Sequence, residues 1–302
     1  MIDLSVKIGN MILNNPIMPA SGTFGYGEEY KDFFDLNTLG AVVTKGLSID
    51  PKAGNLPPRI YEGERFLINS IGLENIGIER FISEKLPFLK NIKCPTIVNF
   101  FGNSEEQYYK IAEKLNFIDE IDGVEVNVSC PNVKKGGIEF GLDEKLLFNI
   151  TKNLRSIIEK KALIVKLSPI SSDIISLSKA CQEGGADGLT MSNTLKGLSV
   201  DSDKMLFNIG NKIGGISGPL LKPLNLRIIY EVRKFTDIPI IGVGGISNLK
   251  DALDYFAVGA DAVQVGTANF STPDIMHQII CQLKDYLQIK KINNIRELRI
   301  HD

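Results

Sequence analysis

Residues 123–137 read Gly-Val-Glu-Val-Asn-Val-Ser-Cys-Pro-Asn-Val-Lys-Lys-Gly-Gly. The run Gly123-Val-Glu-Val126 has the character of a short buried strand, and the chain then leaves it at once for chemistry. An amide, a thiol, a second amide, two lysines and two glycines follow within eleven residues. A packed core has no use for that set. A pocket that holds a polar planar ligand and moves a proton does.

Outward from this segment the same kind of run recurs. Short β-branched stretches occur at 16–20, 41–45, 96–100, 163–167, 188–192, 239–243 and 262–265, which makes eight with 123–127. Helical patterns separate them at 104–117, 143–160, 172–184, 223–235, 248–257 and 273–287. Near-continuous apolar strands alternating with helices imply a parallel sheet covered on both faces. Eight such units in 302 residues fit an α/β fold of the (β/α)8 barrel type better than an open sheet. Several helix starts are marked: Ser104 before Glu105 and Glu106, Asn248 after Ser247, and Pro273 placed as a first helical residue. Residues 4–13 read as a hairpin turning at Gly9-Asn10 that plugs the barrel bottom. Two long connections, 46–87 and 194–223, break the rhythm. Their mixed apolar and glycine content predicts ordered, functional loops at the carboxyl ends of the strands. No linker, repeat or low-complexity tract divides the chain, so residues 1–302 are read as a single domain.

The composition removes several function classes. The chain is 43% apolar, so it can bury a large core, and its net charge is −2. No extended basic run supports a nucleic-acid groove. No stretch approaches the roughly 18 apolar residues of a membrane span, and the first residues do not read as a secretory leader. Cys94, Cys130, Cys181 and Cys281 lie far apart, without metal-ligand spacing, so no metal site and reduced thiols in the cytoplasm are expected. The two histidines, His277 and His301, lie late in the chain. A Ser-His-Asp or Cys-His mechanism would have to bring one of them to a distant nucleophile.

In such a barrel the active site lies at the carboxyl ends of the strands. Those positions hold Ser21, Lys45, Asn99, Asn127, Lys166, Ser192 with Asn193 and Thr194, then Gly244 with Gly245, and Gly266 with Thr267. Any one lysine or amide there reads as a satisfied, partly buried polar residue. Two lysines and three asparagines converging on one face read as a binding site. The glycine turns after the last two strands suit a phosphate, although they are also plain tight turns. Their G-x-G-G spacing is not a dinucleotide fingerprint, which favours a mononucleotide over NAD on this chain. Lys45 or Lys166 beside a flavin would stabilise its anionic reduced ring, the bland alternative being an ion pair at the barrel rim. Asn69, Asn127, Asn132 and Asn193 can ring an imide or carboxylate without fixing a charge. Cys130 is the acid/base candidate, with Lys134 and Lys135 near it in sequence. A lone cysteine is otherwise a small buried hydrophobe. This one follows a strand end and sits in a glycine-bearing loop able to close over a ligand.

Taken together, these motifs resemble the class 1 dihydroorotate dehydrogenases, and the resemblance covers essentially the whole chain. It is carried by Ser21-Gly22, Thr44-Lys45-Gly46, Gly54-Asn-Leu-Pro-Pro-Arg59, Asn69-Ser-Ile-Gly-Leu73, Asn127-Val-Ser-Cys-Pro-Asn132, Ser192-Asn-Thr194, Gly215-Ile-Ser-Gly-Pro219 and Gly242-Val-Gly-Gly-Ile246, in that order. The resemblance implies a TIM barrel holding one FMN per chain and oxidising dihydroorotate to orotate in pyrimidine synthesis. It implies Cys130 as the base for the C5 proton, with the C6 hydride passing to the flavin. By matching motif, Lys45, Asn69, Ser70, Ile71, Gly72, Leu73, Asn127, Asn132, Asn193 and Thr194 hold the substrate. Ser21, Lys45, Gly46, Asn99, Asn127, Lys166, Ser192, Gly218, Gly244, Gly245, Gly266 and Thr267 hold FMN.

A membrane-attached class 2 enzyme would carry an N-terminal helical extension and a serine base, which this chain does not show. Lys134-Lys-Gly-Gly137 and the Asn69 stretch look like the NAD-linked type B. That type implies a homodimer core joined to an electron-transfer subunit carrying FAD and a 2Fe-2S cluster, in a heterotetramer. Two positions depart from its pattern: Ser192, where isoleucine is usual against the flavin, and Lys52, where arginine is common. The competing readings are the fumarate-linked type A homodimer, a flavin reductase resembling the tRNA-dihydrouridine synthases, and a non-enzymatic flavin-binding scaffold. The second would want a basic RNA-binding surface. The third leaves a thiol and four amides at one site unexplained.

Overall fold

Eight short strands form one parallel sheet in the structure, a computed structural model that describes residues 2–129, 131–132, 138–171 and 173–300, with backbone alone at Pro131, Asn132, Ile138 and Glu139. The strands are β1 (Ile17–Pro19), β2 (Val42–Val43), β3 (Thr96–Phe100), β4 (Gly123–Asn127), β5 (Ala162–Lys166), β6 (Gly188–Met191), β7 (Ile240–Val243) and β8 (Ala262–Val265). Their order is β1-β8-β7-β6-β5-β4-β3-β2, and every hydrogen-bonded neighbour is parallel. The backbone N–H of Gly40, just before β2, donates to the Ile17 carbonyl of β1 at 2.8 Å, so the sheet curls into a nearly closed barrel. Almost every strand residue is buried, because helices cover the outside and side chains fill the inside.

The outer helices are α1 (Glu105–Asn116), α2 (Glu144–Ile157), α3 (Ile174–Glu183), α4 (Lys222–Arg233), α5 (Leu249–Ala257) and α6 (Ile275–Lys290). Their buried residues recur at helical spacing, as with Leu146, Leu147, Ile150, Thr151 and Leu154 of α2. Ser104, Asp143, Asp173 and Asn248 cap the first turns of α1, α2, α3 and α5 with a side-chain oxygen. Each accepts an N–H that the helix cannot satisfy itself. The start expected at Pro273 is not found. A short helix, Ala268–Ser271, runs into a turn through Pro273, and α6 begins only at Ile275. It continues to Lys290, where Lys291 takes a left-handed conformation. Among the described residues no helix is long and apolar enough to cross a membrane.

Aspartates fasten the amino-terminal end of the barrel. Asp122, Asp187 and Asp261 each directly precede a strand and accept a backbone N–H from the neighbouring one. The donors are Thr96 at 2.8 Å, Leu163 at 2.8 Å and Ile240 at 3.0 Å. Arg155 reaches Asp187 at 2.6 Å and Arg233 reaches Asp261 at 2.5 Å, so two of the carboxylates are neutralised from the helix layer. The expected hairpin is present as Val6–Ile8 paired with Met11–Leu13. Val6, Ile8, Met11 and Leu13 are buried while Lys7 and Ile12 face outward. Met11 and Ile8 lie against Gly123 and Gly188, the first residues of β4 and β6, so the hairpin covers the barrel bottom.

The two long connections depart most from expectation. The first contains helical turns over 77–89, which complete the βα unit after β2. Its remaining part pairs with the second connection. Leu195–Leu198, Ile213–Ser217, Leu67–Asn69 and Ile60–Glu62 form, in that order, a four-stranded antiparallel sheet outside the barrel. Gly214 permits the close approach this needs: a Cβ there would lie 2.5 Å from the Asn69 carbonyl oxygen.

Burial also separates the thiols. Cys94 and Cys181 are buried and desolvation pushes both up to about 12, whereas Cys281 is exposed. An ordinary thiol titrates near ~8.5, so the two buried thiols hold a roughly thousandfold smaller thiolate fraction at pH 8. Alkylation of the native protein at that pH is expected to mark Cys281 and spare Cys94 and Cys181 until the pH nears 12 or the chain unfolds. Peptide mass spectrometry reads this directly, and equal labelling would contradict it.

Candidate active site

The carboxyl ends of the strands gather polar groups on one rim. Asn127 closes β4 and Lys166 closes β5, and the two are register partners. Asn193 follows β6 and donates its backbone N–H to the Leu167 carbonyl at 3.0 Å, which holds it beside that pair. The Asn127 side-chain oxygen accepts from the Asn193 amide at 3.1 Å and from the Ser129 backbone N–H at 3.1 Å. Its acceptor is therefore engaged, and its own NH2 is left to donate to a ligand. Thr194 is exposed beside it and donates its backbone N–H to the Asn193 side-chain oxygen at 2.8 Å.

Lys45 and Lys166 supply positive charge. Lys166 is only 6% exposed, and its ammonium lies 3.8 Å from Glu125. Lys45 is half-buried, its backbone N–H bonded to the Gly25 carbonyl at 2.7 Å. Among the described residues it forms no ion pair within contact distance. The Arg59 guanidinium, bonded to Glu74, holds that carboxyl below its usual range, and the charge of Lys45 lowers it further. Gly46 approaches Asn99 closely, since a Cβ on it would sit 2.8 Å from the Asn99 side-chain oxygen.

The segment from Asn69 to Leu73 is delivered by the accessory sheet. Asn69 donates its side-chain amide to the Gly215 carbonyl at 3.3 Å. Asn55 braces the next two residues: its side chain donates to the Ser70 carbonyl at 2.9 Å and its backbone N–H to that of Ile71 at 3.0 Å. Gly72 and Leu73 both have positive φ, and Asn75 donates to the Leu73 carbonyl at 2.9 Å. The Ser70 hydroxyl is buried and has no partner, as expected of a group waiting for a ligand. The Asn132 backbone pairs with Ile138. Cys130, Lys134, Lys135, Gly136 and Gly137 lie outside the described residues, as does the side chain of Asn132.

The remaining predicted residues meet on the opposite arc. Gly266 and Thr267 follow β8, and Ser21 and Gly22 follow β1; a Cβ on Gly266 would touch Ala20 at 3.5 Å. The Thr267 hydroxyl donates to that of Ser217 at 2.8 Å, and a Cβ on Gly245 would lie 3.0 Å from the Gly218 carbonyl oxygen. Gly218, Gly244, Gly245, Gly266 and Thr267 are thus neighbours. The helix start after β7 is capped by its own chain. Asn248 occupies the first turn of α5, and the Ser247 backbone N–H donates to Asp251 at 2.9 Å. The glycine turns carry unspent donors of their own. Among the described residues, the backbone N–H groups of Gly244, Gly245, Gly266 and Thr267 donate to no acceptor. Such a concave set of free N–H groups suits an anion. Lys222 is already held by Asp251 at 2.6 Å and Asp254 at 2.9 Å.

Two residues beneath this rim escaped the sequence reading. Asn225 of α4 accepts the Ser192 hydroxyl at 2.7 Å and donates to the Val243 carbonyl at 2.9 Å. It ties the ends of β6 and β7 together, and no spacing in the sequence announces it. Glu125 accepts the Asn99 amide at 2.7 Å from inside the barrel. Its signal was legible: an acid in the middle of a buried strand.

The chain matches the family model described as dihydroorotate dehydrogenase over residues 3–287. It is 47% identical to the catalytic subunit of dihydroorotate dehydrogenase B (NAD(+)) from Geobacter sulfurreducens, over 98% of this chain and 97% of that one. The subunit of the same name from Geotalea daltonii is 48% identical with the same coverage, and that from Thermoanaerobacter pseudethanolicus is 46% identical over 98% of each chain. Among solved structures, DHODH from Eimeria tenella in complex with ferulenol superposes with a TM-score of 0.80. It is 23% identical and the match covers 98% of this chain and 87% of that one, a likeness of fold. The eight-stranded barrel expected from the sequence is the fold observed.

Proposed function

The chain belongs to the dihydroorotate dehydrogenase family, and from that premise we infer that the rim described above oxidises dihydroorotate to orotate with FMN, in pyrimidine synthesis. The observation that carries the reading is the family match through residues 3–287. The rim chemistry supports it. The free N–H groups of Gly244, Gly245, Gly266 and Thr267 fit the FMN phosphate, with Ser21, Ser192 and Gly218 alongside. Lys166, Asn99 and the Gly46 turn fit the polar edge of its ring. When bound, FMN supplies the two-electron acceptor.

This chain's own residues then have distinct tasks. Cys130 takes the C5 proton of the substrate. Asn69, Asn127, Asn132, Asn193 and Thr194 hold the substrate's amide and carboxylate edges, with the backbone of residues 70–73. Lys45, free of an ion pair among the described residues, faces both ligands with its charge. The electrons leave through a partner subunit to NAD. That subunit carries FAD and a 2Fe-2S cluster, on a homodimer of this chain. The relatives' names, which pair "catalytic subunit" with NAD(+), support a partner subunit and NAD as the acceptor.

An acceptor screen tests substrate and partner together. The purified chain is expected to be yellow, to bleach anaerobically with dihydroorotate, and to reduce NAD only when a flavin and iron–sulfur subunit is added. A folded protein that takes up no FMN would overturn the reading. Efficient turnover with fumarate alone would replace the NAD-linked assignment with the type A one.

The phosphate assignment has its own test. Gly244 has φ of +115°, and a Cβ on it would sit 2.2 Å from the Asn225 side-chain nitrogen. Gly244→Ala must therefore move the turn. FMN affinity of the apoprotein, followed by flavin fluorescence, is expected to fall tenfold or more, roughly the effect of about 1.4 kcal/mol. Unchanged affinity would remove this turn from the site.

A further inference from the structure

Among the residues of the eight barrel strands, Glu125 is the one acid and Lys166 the one base. Glu125 is 0% exposed. One carboxylate oxygen accepts the Asn99 amide at 2.7 Å and lies 3.8 Å from the Lys166 ammonium. The other accepts the Thr190 hydroxyl at 2.7 Å and the Gln264 amide at 2.6 Å. Strands β3, β5, β6 and β8 thus all point a polar group at one carboxylate on β4. Stability alone does not call for this, because well-packed apolar side chains are commonly as stable as a buried ion pair. The carboxylate even orients Gln264 so that its amide oxygen is buried without a partner. A charge-assisted bond is worth enough to leave that acceptor unmet.

Two consequences reach the rim. A carboxylate only accepts, so Asn99 must turn its NH2 inward. Its carbonyl oxygen then lies on the Gly46 side, where a Cβ on Gly46 would meet it at 2.8 Å. Lys166, for its part, sits between the buried negative charge and the rim. The Glu125 contact is long enough to leave its donors for a ligand, while the charge offsets part of its field. We propose that Glu125 is a positioning residue for the flavin: through Asn99 it fixes which end of that amide meets the ring, and through Lys166 it sets the positive field there. This rests on the FMN reading above.

The test is the reduction potential of FMN bound to the full chain, measured by dye equilibration in the wild type and variants. Glu125→Gln keeps the shape, removes the charge and sets one amide donor against another. It is expected to favour reduced over oxidised FMN by tenfold or more, an upward shift of about 30 mV for a two-electron couple. In a Lys166→Met background the same change should be clearly smaller, because the route through the ammonium is gone and only that through Asn99 remains. Thr190→Val keeps the charge and removes one donor, so it should shift the potential downward. A potential in Glu125→Gln within threefold of wild type, with FMN bound, overturns the proposal, as does an equal shift in the Lys166→Met background. If Glu125→Gln does not fold, Thr190→Val decides: a downward shift supports the role, and no shift or an upward one overturns it. A wild-type chain that binds no FMN would instead sink the functional reading, and this inference with it.

Discussion

Cys130→Ser is expected to keep FMN bound while lowering its anaerobic reduction by dihydroorotate at neutral pH by about two to four orders of magnitude, the range general-base catalysis contributes. A thiol titrates near ~8.5 and so offers a usable fraction of thiolate at neutral pH. A serine hydroxyl offers essentially none, and the two histidines of the chain leave few substitutes. His277 lies on α6, where it contacts Thr38 and Cys281, on the outer layer rather than the rim. Stopped-flow absorbance of the flavin separates the outcomes. Reduction at the wild-type rate would take the proton transfer away from Cys130. A loss of bound FMN would mean the loop shapes the cofactor site as well.

Asp261→Asn is expected to cost about 3–5 kcal/mol of stability, the range for removing one partner of a buried ion pair. Asp261 is 4% exposed. It accepts Arg233 at 2.5 Å and the Ile240 backbone N–H at 3.0 Å on one oxygen, and Arg299 at 2.8 Å on the other. Burial alone already lowers the pKa of the Arg233 guanidinium, so its charge is not comfortable there without the carboxylate. Asparagine would leave three guanidiniums, those of Arg233, Arg296 and Arg299, around one neutral side chain. In urea the midpoint should fall with an unchanged slope, because the surface exposed on unfolding is the same. Hydrogen exchange should rise first near Ile300, whose N–H bonds the Ala257 carbonyl at 2.9 Å in the segment Arg299 anchors. Unchanged stability would mean that the cluster only fills space.

The barrel was legible because its strands are buried on both faces and so appear as uninterrupted apolar runs, punctuated by the polar residues at their ends. The rim was legible from position: Lys45, Asn127, Lys166 and Asn193 fall at or just past the carboxyl ends of strands, where the chain turns at the barrel mouth. The accessory sheet was not legible. Its strands are short, and its pairing joins Asn69 to Gly215 across 146 residues, which no local pattern encodes. The start of α6 was misplaced because Pro273 fits a turn as well as a first helical turn. In the sequence Glu125 is simply part of a buried strand. Its four partners come from four other strands, and only closure of the barrel brings them together.

The zipping of the two long connections into one sheet has a consequence for how such a site can diversify. Part of the set assigned to the substrate, Asn69 to Leu73 and Thr194, hangs on that sheet or its edge, while most residues assigned to the cofactor are built into the barrel rim. Substitutions in the outer sheet away from Ser217 and Gly218 can reshape what is recognised with little effect on how the redox group is held. The architecture therefore joins a barrel-borne engine to a separate mouthpiece in one chain, with Ser217 and Thr267 as the hydrogen-bonded joint between them.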